Sequence, residues 1–125
     1  MDEEEVAEFE DTEAQLEALH DEIGTLSRKN PDGPVNKFKL RFINIVLGKA
    51  NGILGQDYKP FDEFETFSED DMPSNSDVVL MLSHYLRSTD KLRQNNTEPY
   101  MGASYWVISG ERSGRRAKKP LVFRD

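Results

Sequence analysis

The sequence contains no cysteine in 125 residues, only two histidines and a single tryptophan. Without cysteine the chain forms no disulfide, uses no thiolate nucleophile and holds no zinc or iron–sulfur site through sulfur. The histidines, His20 and His84, do not form an H-x-x-x-H pair, so neither a metal site nor a catalytic triad is indicated. We therefore expect no cofactor and no metal.

The chain also lacks an apolar run of 18 residues and a charged-then-apolar leader. These features mark membrane spans and signal peptides, and their absence makes the cytoplasm the expected location. A length of 125 residues fits one domain.

Several stretches of the chain carry charge mostly or entirely of one sign. Residues 1–22 hold eleven acids and no Lys or Arg, and residues 57–77 hold eight acids and one Lys. Residues 28–49 and 111–125 are basic blocks with six bases each, although the net charge is −8. Membranes and bulk nucleic acid repel such an acidic protein, so the expected partner is another protein with a basic surface.

The most apolar stretch, residues 38–55, is predicted to be a helix. Its alternation over residues 37–42 and its β-branched residues allow a strand as the alternative, but a run of this length is ordinary for a helix and long for a strand. At helical spacing it carries two adjoining stripes. The first is Phe38, Phe42, Ile45 or Val46, Lys49 and Ile53, and the second is Ile43, Leu47, Ala50 and Leu54. We expect such a helix to be sandwiched between other elements.

Capping residues, turn residues and apolar stripes together predict helices at residues 3–27, 36–54 and 76–93. Strands are expected at residues 104–108 and 120–123, with a flexible basic loop between them and a polar loop at residues 94–102. The predicted fold is mainly α, a small three-helix domain with a short C-terminal β-hairpin; an α+β fold is the alternative. The chain divides into an acidic helix (1–30), a helical core (31–110) and a basic loop and tail (111–125).

The first helix carries an apolar stripe at heptad spacing for about two and a half heptads. Its members are Phe9, Thr12, Leu16, Leu19, Ile23 and Leu26. Two interpretations stay open: an oligomerisation seam formed by Phe9, Leu16, Leu19, Ile23 and Leu26, or a helix packed on its own domain.

Residues 56–75, here called the connector, repeat an aromatic residue every third position among acids. The rings are Tyr58, Phe61, Phe64 and Phe67, and the acids Glu69, Asp70 and Asp71 follow. Either the rings plug the open side of the helices, or the connector is an aromatic and acidic docking surface for a partner. The acids lack the frame of an EF-hand, which argues against a metal site.

The last basic block has two interpretations as well. Its members are Arg112, Arg115, Arg116, Lys118 and Lys119. They either compensate acidic segments or contact nucleic acid, with Tyr105 or Trp106 stacking on a base.

No nucleophile with a matched base stands out, so we do not expect an enzyme. The favoured function is a non-catalytic interaction subunit, adaptor or regulator that binds a partner protein. One alternative is an acidic inhibitor that mimics nucleic acid and occupies a basic cleft, as phage or immunity proteins do. Another is a nucleic-acid-associated protein that uses the basic C-terminal loop. Homo-oligomerisation through the first helix stays open as one of its two interpretations.

Overall fold

The computed structural model describes residues 1–119. Helix α1 is Glu3–Lys29, α2 is Lys37–Tyr58 and α3 is Asn75–Asn95; strands β1 (Thr97–Tyr100), β2 (Ala103–Ile108) and β3 (Glu111–Ala117) follow. The mainly α fold with a small C-terminal sheet is confirmed. Among the described residues, no helix combines the length and the apolarity needed to cross a membrane.

Local signals place the helix ends. Asp2 and Glu5 form a capping box at the start of α1, and Ser74 and Asp77 form one at the start of α3. Such boxes satisfy backbone N–H groups that have no partner within the helix. Helix α2 turns sharply at Gly55, whose backbone angles are φ 62° and ψ −167°, so its last turn runs in a new direction.

The strands correct two expectations. The predicted polar loop at residues 94–102 contains β1, and the predicted flexible basic loop contains β3. The strands pair antiparallel in the order β1-β2-β3, so the sheet has three strands among residues 1–119. The strand expected at residues 120–123 lies outside the described residues.

The core lies between the three helices, and the sheet closes one end of it. Its fully buried members come from α1, α2, α3 and β2, among them Val6, Leu16, Leu40, Ile43, Leu47, Val78, Leu82, Tyr85 and Trp106. The ring of Phe9 meets Trp106 edge to face at 5.3 Å between centroids. This contact joins α1 to the sheet.

A buried charge cluster joins α1 to α3. Arg93 donates hydrogen bonds to the carboxylates of Glu13 and Asp90, and Gln94 donates to the second oxygen of Asp90. The first three residues are each at most 5% exposed. Buried charges of this kind persist only when they are paired, so the cluster fixes the relative position of the two helices.

Helix α2 departs from the expectation that it is sandwiched between other elements, because part of one apolar stripe is exposed. Its second stripe is buried, whereas Phe38, Phe42 and Ile45 of the first stripe are 66%, 49% and 50% exposed. The helix packs against α1 and α3 and is flanked by the connector, and these neighbours leave one apolar face in contact with solvent.

Candidate functional site

The connector is anchored to α2 by two asparagines. The Asn44 side chain donates to the Phe67 carbonyl at 2.8 Å and accepts from the Phe67 N–H at 2.9 Å. Asn51 donates to the Glu65 carbonyl at 2.8 Å and accepts from the Tyr85 hydroxyl at 2.6 Å. The connector has little regular secondary structure, so these side chains provide backbone partners that a helix or sheet would otherwise supply.

Three of the four connector rings stabilise the domain. Phe64 and Phe67 meet edge to face at 5.0 Å, and Phe64 also meets Tyr85 at 6.3 Å. Tyr58 packs against the core, and its hydroxyl accepts from Asn95 at 3.0 Å. Phe61 differs, because it stays 43% exposed while its ring contacts His84.

The connector acids lie on the outside of this anchored segment. Asp62, Glu63, Glu65, Glu69, Asp70 and Asp71 are all exposed. Glu65 pairs with Lys59 at 2.5 Å, and the last three acids form one 3-10 turn. We call Phe61 and the acids Asp62, Glu63, Glu69, Asp70 and Asp71 the acidic connector surface. Within residues 1–119 no group of three metal-ligating side chains is placed to hold an ion.

Burial raises the pKa of the Tyr85 hydroxyl to about 12. The Asn51 hydrogen bond opposes this rise, and the nearby Glu65 carboxylate adds to it. Tyr85 therefore stays protonated at neutral pH and donates its hydrogen bond to Asn51, which in turn holds the connector.

The predicted oligomerisation seam is largely internal. Phe9, Leu16 and Ile23 are at most 3% exposed, and they pack inside the chain. Leu19 and Leu26 are half-buried. The packing matches the alternative of a helix on its own domain, and it leaves only these two leucines accessible. Oligomerisation itself stays a prediction.

Three of the five basic residues predicted for nucleic-acid contact are paired with acids. Arg115 donates to Glu10 at 2.5 and 3.0 Å, and Lys118 pairs with Glu17. Arg112 lies 3.6 Å from Glu98 and 3.6 Å from the centroid of the Tyr100 ring. In the described part of the chain, Arg116 and Lys119 are exposed and make no ion pair.

The aromatic residues proposed to stack on a base differ in their exposure. Trp106 is fully buried, so it cannot serve in this conformation, while Tyr105 is half-buried. Nucleic-acid binding stays a prediction, carried by fewer residues than the sequence indicated.

Two features of the site were not predicted. The anchors Asn44 and Asn51 are seven residues apart in the mostly apolar middle of α2, which places them on one face. That spacing was a usable signal for a polar contact. The exposed ridge of Phe38, Phe42 and Ile45 had no such signal, because the same residues would suit a buried face.

The sequence matches no protein-family model, and comparisons with curated proteins and with solved structures give no match.

Proposed function

We propose that this chain is a non-catalytic interaction subunit, adaptor or regulator, and that it binds a basic surface of a partner protein through the acidic connector surface. The observation that carries the proposal is the pair of hydrogen bonds between Asn44 and the Phe67 backbone. They hold an irregular, strongly acidic segment in one conformation against the core.

An anchored segment suits recognition. A flexible loop must be ordered when it binds, which costs free energy, whereas a segment that is already ordered does not incur this cost on binding. The exposed acids supply electrostatic steering toward a basic partner. Phe61 supplies an aromatic side chain at the same surface, of the kind that often dominates interface energetics.

The test combines capture with kinetics. The wild-type protein and the variant Glu69→Gln/Asp70→Asn/Asp71→Asn are used as baits in the source lysate, with and without nuclease. A captured protein is then purified and its binding rates are measured. The proposal predicts a nuclease-resistant partner whose association slows in the triple variant, with a smaller change in dissociation.

The matched control is Asp32→Asn, which removes an exposed acid of the α1–α2 loop and should leave association unchanged. Phe61→Ala should mainly speed dissociation. Loss of binding in Arg116→Ala/Lys119→Ala, with no effect of the triple acid variant, would instead favour the alternative that uses the basic C-terminal residues.

A second candidate, the nucleic-acid-mimicking inhibitor, draws support from α1. Its capping box fixes the helix start, so the exposed Glu3, Glu4, Glu8 and Asp11 are carried on an ordered helix. Ordered carboxylates can occupy a basic cleft in place of phosphates. This candidate predicts that the protein displaces DNA or RNA from a captured nucleic-acid-binding enzyme, and that Glu4→Gln/Glu8→Gln/Asp11→Asn weakens the displacement.

A further inference from the structure

Helices α1 and α2 form an apolar groove that no part of residues 1–119 fills. Its volume is about 610 Å³, and its apolar lining is Leu19, Ile23 and Leu26 of α1 with Phe38, Phe42 and Ile43 of α2. The α1 lining runs from Leu19 to Leu26, a rise of about 10 Å or two helical turns. The groove continues onto the exposed ridge of Phe38, Phe42 and Ile45, where the first two rings meet edge to face at 5.1 Å.

The charges beside this ridge are basic. At about 100° per residue, Lys39 lies on the side of the ridge toward α1, and Lys37 and Arg41 lie on the other side. All three are exposed, and within the described chain none of them makes an ion pair. Helix α2 contains no acid before Asp57. In a protein of net charge −8, three unpaired bases around an exposed apolar ridge form a surface whose charge is opposite to the net charge.

We propose that this groove and ridge dock an amphipathic helix of a partner protein, whose apolar stripe enters the groove and whose flanks carry acidic side chains. A groove with α1 as one wall and α2 as the other suits a helix, because a third helix can pack its apolar side chains between two neighbouring helices. The acidic flanks are assigned from charge complementarity with Lys37, Lys39 and Arg41. Glu22, on the α1 wall, favours a base at the corresponding position of the partner helix.

Charge also argues against two other occupants. A second copy of this chain, docked ridge to ridge, would place the same bases against one another. An anionic membrane is much broader than the ridge, so it would also face the rest of the protein and be repelled by its net charge of −8. The docking surface is separate from the acidic connector surface, so the chain would present two faces of opposite charge to two different ligands.

The probes are two fluorescein-labelled helical peptides of about 15 residues, each held helical by a hydrocarbon staple because short free helices are marginal in water. They share one leucine stripe and differ only in flanking residues, Glu in one and Lys in the other. Fluorescence anisotropy should give roughly tenfold tighter binding of the Glu-flanked peptide at low salt. The difference should shrink as salt screens the charges.

Two variants make the assignment specific. Phe38→Ser/Phe42→Ser should abolish binding of both peptides, and Lys37→Glu/Lys39→Glu/Arg41→Glu should reverse their order of affinity. Leu80→Ser is the matched control, since Leu80 is another exposed apolar residue, 57% accessible on α3, and it should change neither affinity. Circular dichroism melts establish that each variant is folded. The triple acid variant of the connector should bind the Glu-flanked peptide as the wild type does, which separates this proposal from the proposed function.

Equal affinity for the two peptides, or an unchanged order in the charge-reversed variant, would overturn the proposal. So would a dimer in light scattering that Phe38→Ser/Phe42→Ser dissociates, because a second copy would then be the occupant. Binding to phosphatidylserine vesicles that this variant abolishes would identify a lipid surface instead.

Discussion

The side-chain amide of Asn44 on α2 pairs with the backbone of Phe67, 23 residues later, through one donated and one accepted hydrogen bond of 2.8 and 2.9 Å. Both bonds are partly buried. They hold the backbone at Phe67, which lies between Phe64 and the three acids at residues 69–71. One amide side chain therefore ties an acidic, irregular segment to the helical core, and its contribution can be measured.

Asn44→Ala should lower the free energy of unfolding by about 1 to 3 kcal/mol, because it leaves the Phe67 N–H and carbonyl without their partners. The rate of hydrogen exchange should increase more at the Phe67 amide than at the amides of the helices. Asn44→Asp is the graded control, since it keeps the acceptor for the Phe67 N–H and loses the donor. Equal exchange at Phe67 in wild type and Asn44→Ala would contradict an anchoring role.

Arg93→Met should destabilise the protein by about 3 to 5 kcal/mol, because it removes the cation that pairs with the buried carboxylate of Glu13. Glu13→Gln should cost about 1 kcal/mol, since one charge pair and a polar acceptor remain. Urea unfolding of both variants checks the order. Similar losses in the two would mean that the cluster is held by packing and not by its charges.

Gly48→Ala and Gly52→Ala should each stabilise the protein by roughly 0.5 to 1 kcal/mol, the cost of glycine in a helix interior. An added Cβ would meet no heavy atom within 4 Å at either position. Gly55→Ala should have the opposite sign, with a loss of about 1 to 3 kcal/mol, because its φ of 62° strains other residues. Thermal melts of the three variants show whether each substitution raises or lowers the stability. Destabilisation by the first two would reveal a contact at that face of α2.

Stability should fall as the pH rises from 10 to about 12, because Tyr85 has a pKa of about 12 in the folded protein against 10.0 for the unperturbed group. The folded state holds this proton more tightly, so the stabilisation is complete below pH 10 and is lost as pH approaches the folded pKa. The full effect is about 2 to 3 kcal/mol.

Tyr85→Phe isolates this contribution from the other groups that titrate in alkali. Denaturant unfolding of wild type and variant over the same pH range should give a stability difference that declines above pH 10. A constant difference would show that the Tyr85 hydroxyl does not carry the effect.

The sequence by itself determined the helices and their order. Capping residues such as Ser74 and Asp77, the turn residues between the helices and the apolar stripes act within a few residues, so they can be identified without the fold. The change of direction at Gly55, one residue after the predicted end of the second helix, is of the same kind. These local signals also gave the mainly α class and the strand at residues 103–108, within one residue of the predicted start.

The tertiary structure decided which charges and apolar faces remain at the surface. Strand β3 forms only because β2 offers a partner, and pairing between strands leaves little local signal in a segment that reads as a basic loop. Arg115 forms an ion pair with Glu10, and Arg93 forms one with Glu13, although the partners are 105 and 80 residues apart in the sequence. For the same reason Phe38 and Phe42 could not be distinguished from core residues, since exposure depends on which neighbours pack beside a helix and not on the helix's own periodicity.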